Sequence, residues 1–193
     1  MTVFVADERN GVTGRADPAP LTHEAQRTEA GNSAAPSDLA SGSAAQSSQA
    51  TRVPVDLERL RGLAEFVVAD RRVPADMALS VLCVSTSAMA ELNRVHMGGD
   101  GPTDVLAFPI DMPGETMPGA PAVLGDVVLC PEVAAAQAAD AGHDVSAELE
   151  MLVVHGILHL LGHDHAEESE QREMTELTER LLADWRARSG SPS

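Results

Sequence analysis

A long low-complexity segment limits which parts of this chain can fold. Residues 11–52 consist mainly of Ala, Ser, Gly, Thr and Pro, and their only branched apolar side chains are Val12, Leu21 and Leu39. Such a segment cannot bury enough apolar surface to offset the entropy lost on ordering, so it is predicted to be a disordered insertion. The folded domain must then consist of residues 53–188 with a short first strand from residues 1–10, followed by a tail, residues 189–193.

Beyond the insertion, the hydrophobic pattern alternates between helix and strand. Apolar residues recur at helical spacing after Asp56, which can cap a helix that ends before Pro74. Further helices are predicted over 87–95, 131–142, 144–161 and 167–188, and buried strands over 77–85, 103–110 and 124–130. Asp144 or Ser146 can cap the helix over 144–161. This alternation predicts a single α/β domain in which helices pack on a small sheet.

The overall charge argues against a nucleic-acid partner. The 193 residues include 13 basic and 30 acidic side chains, for a formal net charge of −17, and every basic residue is arginine. Nucleic-acid-binding domains usually carry a basic stripe or patch. An RNA function would therefore need specific local evidence.

Other features predict a cytoplasmic protein with no membrane partner. The sequence has no run of about 18 apolar residues for a membrane-spanning helix. Asp7 and Glu8 stand where a secretory signal needs basic and then apolar residues. Cys83 and Cys130 lie in apolar, strand-like runs and are expected to be buried thiols of a reducing compartment, with a structural disulfide as the alternative.

A cluster of histidines indicates a metal site at the C-terminal end of a helix. Four of the seven histidines fall between His155 and His165. His155 and His159 are four residues apart, so on a helix they lie on one face and can share an ion. Gly162 permits a left-handed turn that brings back a third imidazole, from His163 or His165. Three imidazoles around Zn²⁺ leave a position for water, which is typical of a catalytic zinc site.

The spacing also invites comparison with zinc proteases. Their pattern H-E-x-x-H-x-x-G-x-x-H places histidines at the intervals of His155, His159 and His165, which favours His165 as the third ligand. The glutamate that serves as general base in those enzymes is replaced by Gly156. Peptide hydrolysis is therefore not expected.

The motif resembles the signature of the YbeY endoribonuclease family of bacterial ribosomal-RNA maturation factors. It reads His-Gly-Ile-Leu-His-Leu-Leu-Gly-His-Asp-His over residues 155–165. Further blocks of the same family lie upstream, at residues 92–93, 102–109 and 124–130. The resemblance extends over about residues 53–185 together with the first strand.

This resemblance implies a fold, an activity and partners. The fold is a mixed β-sheet flanked by helices, and the ligands of one Zn²⁺ per chain are His155, His159 and His165. The activity is endonucleolytic cleavage of single-stranded RNA in 16S rRNA 3′-end maturation and late ribosome quality control, in the cytoplasm. The implied partners are ribosomal RNA, the small ribosomal subunit and a ribosome-assembly GTPase.

Two departures from the family pattern bear on how RNA is positioned. Many members have an arginine in the loop before the Thr-Asp-Val-Leu block, in a Tyr-Arg-Gly-like run. This chain has His96, Met97 and Gly98 there, so a cationic phosphate contact is absent at that position. The insertion over residues 11–52 replaces a short link. Neither departure touches the predicted metal ligands.

Three carboxylates are candidates for a general base. Asp164 adjoins the motif, although a role in orienting a ligand imidazole is the favoured interpretation. Glu148 lies two turns before His155 on the same helical face, and Asp104 belongs to the upstream block. For each of them the alternative is a surface or capping carboxylate. The sequence leaves open whether water or the RNA 2′-hydroxyl attacks.

Some other side chains have a possible place at the site. Met97 and Phe108 can offer an apolar or stacking surface to a base, although Phe108 in a strand is more often part of the core. His96 and Met97 are expected in a glycine-rich loop that can line the cleft, and His163 can point to substrate or solvent.

Arginines are concentrated around the first predicted helix. Arg59, Arg61, Arg71 and Arg72 lie on or beside it and are predicted to contact RNA phosphates. Two other functions stay open at this stage: a zinc-dependent hydrolase of a non-RNA substrate, and a ribosome assembly factor whose metal is structural.

Overall fold

The computed structural model describes residues 1–9, 52–115, 121–163 and 167–190. The predicted disordered insertion therefore lies, apart from Arg52, outside the described residues, and so do Asp164 and His165. Of the predicted tail, residues 189 and 190 are described.

Within these described residues, four strands form one mixed sheet in the order β1-β2-β4-β3. β1 (Thr2–Asp7) pairs in parallel with β2 (Met77–Cys83), and β2 pairs in parallel with β4 (Ala122–Leu129). β3 (Val105–Pro109) runs antiparallel to β4. The prediction of a small mixed sheet with helices is confirmed, and β1 is an edge strand.

The part of the chain that the structure describes also contains five α-helices. They are α1 (Leu57–Asp70), α2 (Thr86–Leu92), α3 (Pro131–Ala141), α4 (Val145–Leu160) and α5 (Glu168–Arg188). The predicted caps form: the side chain of Asp56 accepts a hydrogen bond from Arg59 N at the start of α1, and that of Asp144 accepts one from Ser146 N at the start of α4.

One predicted helix differs from what the structure shows. The segment predicted as a helix over residues 87–95 is α-helical only to Leu92 and then continues as a single π-helical turn, Asn93–Met97, called the π turn below. His96 and Met97 were expected in a glycine-rich loop and instead belong to this turn. The sequence signal failed because α and π turns differ by one residue per hydrogen-bonded ring, which hydrophobic spacing does not resolve.

Apolar packing covers both faces of β4. Val127 and Leu129 contribute to the main core with α1, α4 and α5. Val128 and Leu106 are paired in register and pack with Met89 of α2 in a second cluster. α4 lies within the main core, and its apolar side chains are buried around most of its circumference. The histidines of α4 are thereby held on a rigid element.

Cys83 and Cys130 are buried thiols, as predicted, and no disulfide joins them. None of the helices in the described parts of the chain combines the length and apolar character that a membrane crossing requires.

Candidate functional site

Two imidazoles converge on one face of α4. The Nε2 atoms of His155 and His159 lie 3.1 Å apart, and their ring centroids are 4.6 Å apart with the ring planes at 84°. Zn–N bonds are about 2.0–2.1 Å, so two ligands of a tetrahedral ion stand roughly 3.4 Å apart. The observed separation fits this geometry, and both nitrogens therefore suit a shared metal ion. His159 is in the last turn of α4, where the helix dipole favours a cation.

Close packing explains why a glycine follows His155. A Cβ placed on Gly156 would lie 2.6 Å from Val127 Cγ1 and 3.1 Å from Val127 Cγ2. The valine is buried in β4 and its branched side chain cannot move aside cheaply. The side chain of a glutamate here would meet this valine, so the packing accounts for a glycine where the protease pattern has a glutamate.

The chain leaves α4 through a Schellman turn. Gly162 adopts φ +82°, His163 N donates to Leu158 O, and Gly162 N donates to His159 O. The left-handed turn predicted at Gly162 is confirmed. It directs His163 toward the same cavity that His155 and His159 line. Burial lowers the pKa of His163, and the nearby positive charge of Arg71 lowers it further.

A cavity of about 780 Å³ opens beside the two histidines. Its walls come from β3 and the segment before it, from α4 and from the π turn. The lining residues are Met97, Thr103, Asp104, Val105, Leu106, Ala107, Pro109, Met151, Leu152, His155, Gly156, His159, Gly162 and His163.

The predicted third ligand is not among the described residues. Within residues 1–9, 52–115, 121–163 and 167–190, no group of three His, Cys, Asp or Glu side chains is arranged to hold a metal ion. His165 and Asp164 follow His163 directly in the sequence. Their roles as third ligand and as orienting carboxylate stay predictions.

Of the other two candidate bases, only Asp104 lines the cavity. Its Oδ1 accepts hydrogen bonds from Thr103 Oγ1 at 2.9 Å and from Val105 N at 2.8 Å, which fix the carboxylate at the start of β3. Glu148 is buried, and its Oε2 lies 2.5 Å from His143 Nε2. The structure thus places Glu148 in contact with His143, outside the cavity lining.

The predicted arginine patch divides into two parts. Arg59 Nε lies 2.5 Å from Glu150 Oε1, a carboxylate of α4 that is 4% exposed, and Arg61 pairs with Glu58 at 3.3 Å. Arg71 and Arg72 follow the end of α1, and the charge of Arg71 acts on His163. Contact with phosphates stays a prediction for all four, and the charge of Arg71 reaches the cavity residue His163.

Two predicted neighbours of the site have different surroundings. Met97 lines the cavity and is 53% exposed. His96 instead packs edge-on against Phe108, with ring centroids 5.0 Å apart, and neither ring lines the cavity.

Met151 also lines the cavity, and the sequence analysis did not predict it. Its signal was available, because Met151, His155 and His159 follow one another at i, i+4 and i+8.

Known proteins are similar to this chain over most of its length. The family model described as endoribonuclease YbeY matches residues 45–186. The endoribonuclease YbeY of Salinispora tropica is 53% identical over 141 residues, which cover 69% of this chain and 90% of that protein. The relative from Acidothermus cellulolyticus is 54% identical over 142 residues, covering 70% and 87%, and the relative from Mycobacterium tuberculosis is 48% identical over 139 residues, covering 69% and 78%.

A solution structure of a protein from Thermotoga maritima is also similar, with 29% identity and a TM-score of 0.46, covering 71% of this chain and 90% of that one. The family model includes α1 to α4, all of α5 except its last two residues, and the strands β2, β3 and β4, and the curated relatives are identical at about half of the aligned positions. The resemblance seen in the histidine motif is confirmed, and the chain belongs to the endoribonuclease YbeY family.

Proposed function

We propose that this chain is an endoribonuclease that cleaves single-stranded RNA with the help of one zinc ion, in the maturation of the 16S rRNA 3′ end and in late ribosome quality control. Membership of the endoribonuclease YbeY family supports the reaction class. The observation that supports a metal is the approach of the His155 and His159 Nε2 atoms to 3.1 Å at the wall of a cavity.

His155, His159 and His165 would hold the ion. When bound, zinc supplies a Lewis acid that polarises a phosphoryl oxygen or acidifies a water molecule. The Schellman turn at Gly162 aims His163 at the cavity, so its imidazole can donate a hydrogen bond to a phosphate oxygen. Asp104, held by its two hydrogen bonds, is the described carboxylate in position to accept a proton there.

The proposed partners follow from the proposed substrate. They are ribosomal RNA, the small ribosomal subunit and a ribosome-assembly GTPase, and the proposed location is the cytoplasm. With a net charge of −17, the chain should bind bulk RNA weakly, because phosphates meet an acidic average surface. Recruitment by a ribosomal partner, together with local cations such as Arg71, would then supply specificity.

The test is cleavage of a defined single-stranded RNA by the purified chain, with and without a chelator, using His155→Ala as the control. We expect cleavage by the wild-type chain, loss of cleavage in chelator, recovery on adding zinc, and no activity in the variant. Cleavage that survives both the chelator and the substitution would refute the metal-dependent mechanism. Metal binding without any RNA cleavage would favour a hydrolase of another substrate or an assembly factor with a structural metal.

A further inference from the structure

Apart from its three histidines, the cavity has few side chains that can bind phosphates directly. Among the described residues that line it there is no arginine, and the chain contains no lysine. Asp104 is the one carboxylate of this lining, and most of the other lining side chains are apolar. Single-stranded RNA can be held either by cations on its backbone or by apolar contacts with its bases. The composition of these walls favours contact with bases.

Met97 is the π-turn residue that reaches this cavity. Its neighbours on the turn have other contacts: Asn93 Nδ2 donates to Gly101 O at 2.9 Å, Arg94 pairs with Glu91 at 2.7 Å, and His96 packs on Phe108. These contacts fix the turn, while Met97 remains 53% exposed at the cavity wall. An exposed apolar side chain on a fixed turn is suited to contact a ligand, and π turns are frequent at functional sites.

Met112 provides a second apolar side chain next to the same cavity. The pairing of β3 with β4 continues past Pro109, since Ile110 N donates to Leu124 O and Asp111 N donates to Val123 O. This extension places the exposed Met112 over the end of α4, where its Cε would lie 3.4 Å from a Cβ built on Gly162, a residue of the cavity lining. Methionine adapts its shape and makes favourable sulfur–ring contacts.

We propose that Met97, with Met112 as a second apolar wall, contacts a nucleobase of the RNA bound in this cavity, so that the chain positions its substrate through a base. The inference rests on the proposed endoribonuclease function. It makes Met97 a substrate-positioning residue, which acts on binding and not on the chemical step. The contact is independent of charge, and it operates in a chain whose average charge repels phosphates.

The experiment compares wild-type, Met97→Ala and Val95→Ala chains in steady-state cleavage of a short single-stranded RNA. Val95 is the matched control, because it lies on the same turn, is 56% exposed and does not line the cavity. Met97→Ala should raise KM about two- to tenfold and leave kcat unchanged. This increase in KM corresponds to the strength of a methionine–ring contact. Val95→Ala should change neither constant.

Oligonucleotides with single abasic positions identify the contact as one with a base. At one position, removal of the base should raise the KM of the wild-type chain as much as Met97→Ala does with the intact RNA. Combining the abasic position with Met97→Ala should raise KM no more than either change alone. The dependence of KM on salt should be the same for the wild type and Met97→Ala. If the new cation contacts one phosphate, Met97→Arg should increase the slope of log KM against the logarithm of the salt concentration by about 0.7.

Two results would separate the inference from the function on which it rests. If the wild-type chain cleaves RNA but Met97→Ala has the same KM, or if its effect is equal on every abasic oligonucleotide, the inference is wrong and the proposed function stands. If the wild-type chain cleaves no RNA with zinc present, the proposed function is wrong and the inference falls with it.

Discussion

The two halves of α4 use ionisable side chains in opposite ways. In the first half, Glu148 and Glu150 are buried and each has a cationic or imidazole partner, His143 for the former and Arg59 for the latter. Arg186 of α5 also approaches Glu150, at 3.7 Å. In the second half, His155 and His159 approach each other and line a cavity.

The ionisable side chains of this one helix thus have two roles: the two glutamates stabilise the fold, and the two histidines belong to the candidate site. A buried carboxylate needs a partner, because an uncompensated charge in the interior is costly, and both glutamates find theirs on neighbouring segments. The histidines lie in the half of the helix that faces an open cavity. This half includes the C-terminal end of the helix, which is the negative end of the helix dipole. Substitutions of the two glutamates should therefore change stability, and those of the two histidines should change metal binding and cleavage.

The largest effect is expected for His159→Ala. Loss of one imidazole should lower the rate of RNA cleavage by about 100-fold or more, since second-sphere changes alone cost metal sites 10- to 100-fold. The free energy of unfolding of the metal-free chain should change by less than about 1 kcal/mol, because the side chain faces the cavity. Single-turnover cleavage and urea denaturation measure the two quantities. A lower free energy of unfolding for His159→Ala, with the cleavage rate of the folded variant unchanged, would contradict the functional role of this histidine.

The two described candidate bases should differ sharply. Asp104→Asn should lower kcat by about 100-fold if Asp104 accepts a proton, the lower end of the usual range for general acid–base catalysis. Glu148→Gln is the control, and we expect it to leave kcat unchanged because its carboxylate contacts His143 outside the cavity lining. The pH–rate profiles of both variants provide the measurement. Loss of activity in Glu148→Gln, with folding retained, would contradict the assignment.

Gly156→Ala should destabilise the fold without removing a functional group. The added methyl group would meet Val127 Cγ1 at 2.6 Å, and overpacking of a well-packed core costs roughly 1–3 kcal/mol. Thermal or urea unfolding measures the loss. Adding Val127→Ala should recover part of the lost stability. The double variant should therefore lose less free energy of unfolding than the two single variants lose in sum. Strict additivity would show that the valine is not the obstacle.

The smallest effects should come from the two arginines of α1. Among the described residues, Arg59→Ala leaves the buried Glu150 with the longer contact to Arg186, which we expect to cost about 1–2 kcal/mol because Arg59 itself is 41% exposed. Arg61→Ala breaks an exposed pair with Glu58 and should cost less than about 0.5 kcal/mol.

Measurements of RNA binding at several salt concentrations extend this comparison. Replacing both arginines should weaken binding and flatten its salt dependence if they contact phosphates, as the sequence predicts. Unchanged binding at every salt concentration would leave Arg59 with the structural role alone.

Much of the site could be predicted because its signals are local. The spacing of His155 and His159, the turn at Gly162 and the cap at Asp144 each depend on residues within one or two helical turns. The structure contains all three features. The α/β class follows in the same way from the alternation of hydrophobic periods.

The rest depends on partners that are distant in the sequence. Glu150 and Arg59 are 91 residues apart, and nothing near either residue indicates that they meet. The contact of Gly156 with Val127 and that of Met112 with Gly162 likewise join separate elements. The π turn was missed for a different reason, because it shares its sequence pattern with the α-helix that precedes it.

The most direct test of the central claim is the zinc content of the purified chain, measured by native mass spectrometry beside elemental analysis. The approach of two Nε2 atoms at the end of α4 predicts one zinc ion per wild-type chain and none in folded His155→Ala or His159→Ala. Glu148→Gln and Arg59→Ala should retain the ion. Retention of one zinc ion by both folded histidine variants would contradict the account.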